Sequence, residues 1–115
     1  FTVTNLGQTT ATVMSGAGLA APYSFFGGSY PGTGGTCAAT LASSANCTIV
    51  VEFAPTTVGT HNDTIEISFN NGLIVTTATR DVTGVAVTPA SLSISDGPTY
   101  DYGIQPIGKA TDKTF

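Results

Sequence analysis

Residues Cys47–Phe69 read CTIVVEFAPTTVGTHNDTIEISF, and the phase of their apolar residues decides the class of fold. Ile49, Val51 and Phe53 alternate with Thr48, Val50 and Glu52, which is the period of a strand with one face in a core. Pro55 cannot donate to a ladder and Gly59 tolerates positive φ, so Ala54–Gly59 reads as the turn that ends this strand. In the next strand Ile65, Ile67 and Phe69 share one face, and Thr64, Glu66 and Ser68 share the other. The same phase turns His61 and Asp63 inward. Asn70-Asn71-Gly72 offers the left-handed positions of a tight hairpin, after which Leu73–Thr79 pairs back. The expectation is a meander within an all-β domain.

Composition agrees with that class and removes several functions. Only 9% of the 115 residues are charged, no window repeats at 3.6 residues, and the length suits one ordinary domain. The net charge is −4, with Arg80, Lys109 and Lys113 as the only basic residues. Neutralising phosphates requires a cluster of Lys and Arg, so neither a nucleic acid nor an anionic membrane surface is expected as partner. No apolar run reaches membrane length. Cys37 and Cys47 lack the spacing of a metal motif, and the single histidine does not complete a zinc set. They are expected to form a disulfide that pins the glycine-rich loop to the central strand. Closing so short a ring contributes roughly 2.7 kcal/mol and places the protein outside the cytoplasm.

Outward from the centre, Phe1–Asn5 alternates as a strand and Thr10–Met14 forms a short one with Ala11 and Val13 on one face. Ser15–Tyr23 reads as a loop, Tyr23–Phe26 as a brief strand and Gly27–Gly35 as a loop of turn formers. That loop has no following Lys-Ser/Thr pair and no helix behind it, so it is no phosphate cradle. Arg80–Val87 alternates with Val82, Gly84 and Ala86 on one face. Pro89 then marks the boundary between residues 1–88 and 89–115. Beyond it Leu92 and Ile94 alternate with serines, and Ala110–Phe115 begins another strand.

Thr111–Phe115, TDKTF, looks like the lead-in to Phe1–Gly7, FTVTNLG, with Phe115 standing one period after Phe1. Together with Tyr30–Cys37, Cys47–Pro55, Gly59-Thr60, Asp63–Ile65 and Val82–Gly84, this resembles the bacterial repeat modules called choice-of-anchor D. These are relatives of the ASH group of immunoglobulin-like domains. The resemblance implies an immunoglobulin-like antiparallel β-sandwich, used in tandem or completed by a neighbour's strand, in secreted or surface proteins. It implies no catalytic residues. His61 departs from the tyrosine that many relatives carry after Gly-Thr, and is expected to take that residue's structural place at a corner. On this reading residues 1–88 are most of one sandwich, and 89–115 open the next or complete a neighbouring unit. Phe1, Val3, Leu92, Ile94 and Phe115 are then the assembly residues.

No enzyme is expected. Asp63 and His61 lie two apart without a nucleophile beside them, and no serine sits in an elbow motif. No metal or cofactor is expected, since Asp81, Asp96 and Asp101 do not follow a calcium-loop spacing. Two readings of function remain. The first is a structural unit of an extracellular bacterial filament or surface stalk, whose partners are copies of itself joined head to tail. The second is an adhesion module that stacks Tyr23, Phe25 and Tyr30 against a glycan or a host surface protein.

Overall fold

The computed structural model describes residues 1–115, all strand, turn and extended chain without a helix. Eight strands form: β1 (Thr2–Thr4), β2 (Ala11–Ala17), β3 (Tyr23–Phe25), β4 (Thr40–Leu41), β5 (Asn46–Thr48), β6 (Val51–Phe53), β7 (Gly59–Asn70) and β8 (Val75–Ala86). A four-stranded antiparallel sheet runs β4-β2-β7-β8, and two smaller antiparallel ladders, β1-β5 and β3-β6, make the second layer. The core lies between the layers. Ala11, Met14, Ile65 and Ile67 reach it from the large sheet, and Phe25, Cys47 and Ile49 from the small ladders. Ile65 and Ile67 are only 2% and 4% exposed, in the inward phase their alternation predicts.

The central stretch does not form a meander. Its first half pairs with β1 and β3, and its second half with β2 and β8, so Ala54–Val58 carries the chain from one layer to the other. The only hairpin there is β7-β8, and its turn is longer than the Asn-Gly signal predicts. The Asn71 side chain accepts from the N–H groups of Leu73 and Ile74, which holds both residues in the loop and leaves them exposed. Val75 onward pairs in unbroken register with β7, so the two runs read from sequence, 73–79 and 80–87, are one twelve-residue strand.

β2 also departs from simple alternation. It runs on to Ala17, where a loop is expected, and carries one extra residue between Thr12 and Ser15 opposite β7. The bulge turns Ala11 and Met14 to the core together and leaves Val13 72% exposed at a φ of 53°. The expected sharing of one face by Ala11 and Val13 is therefore corrected, since a strand's parity resets at a bulge.

The Cys37–Cys47 disulfide forms, with 4.8 Å between the Cα atoms. Beside it Thr36 and Cys37 donate to the Thr48 carbonyl, and Thr48 donates to the Thr36 hydroxyl at 2.9 Å. The loop is thus fixed to β5 by one covalent and several polar bonds. Residues 87–115 contain no strand, so neither Leu92-Ile94 nor Ala110–Phe115 pairs within this chain. An extended run with no ladder beside it has nothing to bond. The tail leaves the body instead, and the molecule measures 90 × 25 × 20 Å.

Two stability outcomes follow. Reducing the disulfide is expected to lower the unfolding free energy by about 2.7 kcal/mol, read from urea midpoints with and without reductant. Val13→Asn is expected to raise it by about 1 kcal/mol. A β-branched residue resists the left-handed region that asparagine tolerates, and Val13 gives up little burial.

Candidate functional site

Bonding along residues 47–54 alternates by parity. Phe1 exchanges two bonds with Ile49: its ammonium donates to the Ile49 carbonyl, and the Ile49 N–H donates to the Phe1 carbonyl, both at 2.9 Å. On the other flank Thr48 accepts from Thr36, Val50 bonds Pro31 and Phe26, and Ala54 donates to Pro22. Even-numbered residues therefore face β3 and its loop, and odd-numbered ones face β1. The β1 ladder reaches only as far as Ile49, and β6 has β3 as its sole sheet partner. By this parity the main-chain groups of Val51 and Phe53 point to an open flank.

The facing edge is open as well. β8 ends the four-stranded sheet, and all of its outer side is free. Its inward face carries Ala78 opposite Ile67 and Arg80 opposite Ile65, yet both are exposed although their β7 partners are fully buried. A core-facing position that is exposed marks a place where the opposite layer is missing.

Three adjoining cavities occupy that gap, of about 270, 210 and 350 Å³. The first lies among Val3, Leu6, Met14 and Phe69, and the second among Phe1, Val3, Ile49 and Ile65. The third lies among Phe1, Val51, Phe53 and Val82. Shared walls at Val3, Ile67 and Ala78 join the first two, and Phe1 joins the second to the third. The result is an apolar trench bounded by the β1-β6 flank and β8.

The tail carries a second set of exposed apolar residues. Leu92 is 97% exposed and Ile94 78%, and Ile104, Ile107 and Phe115 also lack cover. What order it has comes from its own contacts. Tyr100 meets the rings of Tyr102 and Phe115 edge-on at 5.0 and 5.3 Å, and Lys113 pairs with Asp96 at 3.0 Å.

The structure thus brings Phe1 and Val3 to the trench and leaves Leu92, Ile94 and Phe115 in the unattached tail. It does not gather the residues considered for stacking. Tyr23 and Phe25 are buried, Tyr23 stacked on Phe53 at 4.8 Å and Phe25 edge-on to Tyr30 at 5.7 Å. Phe26 is the exposed ring of that loop. Gly84 and Gly16 make room for this packing, since a Cβ would come within 2.7 Å of Phe53 at the first and 2.5 Å of Phe25 at the second. His61 contacts the Phe53 ring and its Nε2 bonds the Thr57 carbonyl at 3.0 Å, while its own carbonyl accepts from Tyr23. Asp63 accepts instead from the Ala20 and Thr64 N–H groups, so His61 and Asp63 serve separate loops.

Asp81 accepts from the Thr64 hydroxyl, Asp96 pairs with Lys113 and Asp101 accepts from the Gly103 N–H, so each of these carboxylates is engaged by itself. Neither Ala78 nor Arg80 was read from the sequence as a core-facing position. The missed signal was their phase with Val82, which is readable only once β8 is one strand. No helix is long and apolar enough to cross a membrane. Comparison with known proteins finds no matching family model, curated protein or solved structure.

Tyr30 packs its ring edge-on to Phe25 beside Gly16, and its buried hydroxyl has no hydrogen-bond partner among the protein atoms. Burial raises its pKa above the ordinary 10.0. The unfolded chain ionises first, so this contribution to stability is whole below pH 10.0 and is lost as pH climbs through the folded value. Tyr30→Phe is expected to melt no lower than the parent at neutral pH and to lose less stability in alkaline solution. Thermal melts at a series of pH values check both.

Proposed function

We propose that this chain is a structural unit of an extracellular bacterial filament or surface stalk, an immunoglobulin-like sandwich module that joins to copies of itself head to tail. One observation carries the reading: a body with an uncovered apolar trench is joined to a tail of alternating apolar residues that has no partner of its own. Each half is poorly satisfied alone, and each offers what the other lacks. Because donor and acceptor lie at different places on the molecule, the contact is heterologous. Such contacts propagate into an open array instead of closing after two copies.

The disulfide supports assignment to an oxidising compartment outside the cytoplasm. The adhesion reading draws less support, because Tyr23 and Phe25 spend their rings on the core.

Sedimentation velocity and electron microscopy of the purified chain test the proposal. The expected result is linear particles whose length grows with protein concentration. A monomer at every concentration, or a closed dimer, removes it.

A further inference from the structure

We infer that the trench is the seat of one particular segment, Ser91–Asp96 of a second copy, laid parallel to β8. This rests on the head-to-tail reading and adds the occupant, its direction and its register.

Spacing gives the fit. Leu92 and Ile94 project from the same face of an extended chain, two residues apart, and are the most apolar pair with that spacing in the tail. The first two cavities also step by two residues along the large sheet. One is walled by Phe69, Ile67 and Ala78, the other by Ile67, Ile65 and Arg80. A strand beside the free edge of β8 places Leu92 in the first and Ile94 in the second. Ser91, Ser93 and Ser95, on the opposite face, then point to solvent.

Charge gives the direction. Arg80 is the only Lys or Arg among residues 1–88, and it stands exposed at the mouth of the second cavity. Asp96 ends the segment two residues after Ile94. With Leu92 near Thr76 and Ile94 near Ala78, Asp96 comes to Arg80, and the strand runs parallel to β8. The opposite direction leaves Arg80 without an anion. In the free tail Asp96 is held by Lys113 at 3.0 Å, a surface pair that docking exchanges for another.

The chain's own segment cannot take this seat. Leu92 is six residues past the end of β8, a reach of at most about 21 Å. Thr76, which Leu92 meets in this register, lies ten residues back, roughly 33 Å along the strand, and the path must also reverse. Parallel pairing requires a long crossover that residues 87–90 do not provide. The occupant is therefore another copy.

Hydrogen exchange of the full chain, followed with sedimentation over a range of concentrations, tests the assignment. The expected result is that β8 amides slow at least tenfold as the chain associates, and that Leu92→Asp/Ile94→Asp loses both effects while keeping its urea midpoint at dilution. Arg80→Glu and Asp96→Lys are each expected to weaken association up to roughly fivefold, and the double exchange to recover it. Association and β8 protection that persist in Leu92→Asp/Ile94→Asp leave head-to-tail joining intact and overturn this occupant. If the parent chain stays monomeric, the head-to-tail reading falls. The synthetic peptide TPASLSISDG, residues 88–97, then decides the seat by itself: protection of β8 by the peptide but not by its Leu-to-Asp, Ile-to-Asp form keeps the assignment, and no protection removes it.

Discussion

Ile49 gives both of its main-chain bonds to Phe1, while Thr48 and Val50 on either side give theirs to the opposite flank. This alternation lets one extended run, Asn46–Phe53, serve as the middle of the second layer without belonging to a wide sheet. The same run carries the disulfide at Cys47 and the buried Ile49. Loss of the β1 bonds would free its odd-numbered groups, and loss of the β3 side would release the loop that Cys37 and Thr36 tie down. Packing of Ile65 and Ile67 has a floor to rest on only because this run is held from both sides.

The limit of the arrangement is equally physical. Parity continues through Val51 and Phe53, but the β1 ladder reaches no further than Ile49. On the opposite wall β8 continues for twelve residues with no strand beyond it. Two open edges that face each other across apolar residues are a hazard in a chain so poor in charge. Natural sheets protect edges with Lys, Pro, bulges or covering segments. Here the bulge is on β2, away from the gap, and one arginine is the only cationic side chain on the body. A covering segment is the remaining device among these, and the tail has the composition of one.

Much of the fold was legible because strand parity is a rigid rule. Ile49, Ile65 and Ile67 fell inward as their phase required, and the disulfide joined the two cysteines the loop brought together. Parity failed where something local reset it. An extra residue at Val13 exchanged the faces of β2, and the Asn71 side chain lengthened a turn that Asn-Gly alone would have made tight. Which strands pair was not legible at all. β6 and β7 are neighbours in sequence and lie in different layers, because pairing depends on long-range partners that alternation does not encode. Of the two features that the proposed joint brings together, one was legible. Exposed alternation in Leu92 and Ile94 can be read from sequence, but the trench is defined by the absence of a layer above Ala78 and Arg80, which only the packed structure displays.

The division of labour between body and tail has an energetic logic on the proposed reading. A tail that packed on its own body would close the trench and end the array at one copy. The Leu92-Ile94 segment avoids this by geometry, since it follows β8 too closely to turn back and lie parallel to it beside Thr76 and Ala78. Its own contacts, the Tyr100-Phe115 and Asp96-Lys113 pairs, are exposed and weakly held, so little is lost when Leu92 and Ile94 find a better place. Burying those two side chains contributes roughly 1.5 to 3 kcal/mol each before ordering costs are set against it. That scale suits a joint whose strength comes from repetition along an array, with the disulfide and the central run keeping each body intact while the joints carry the load.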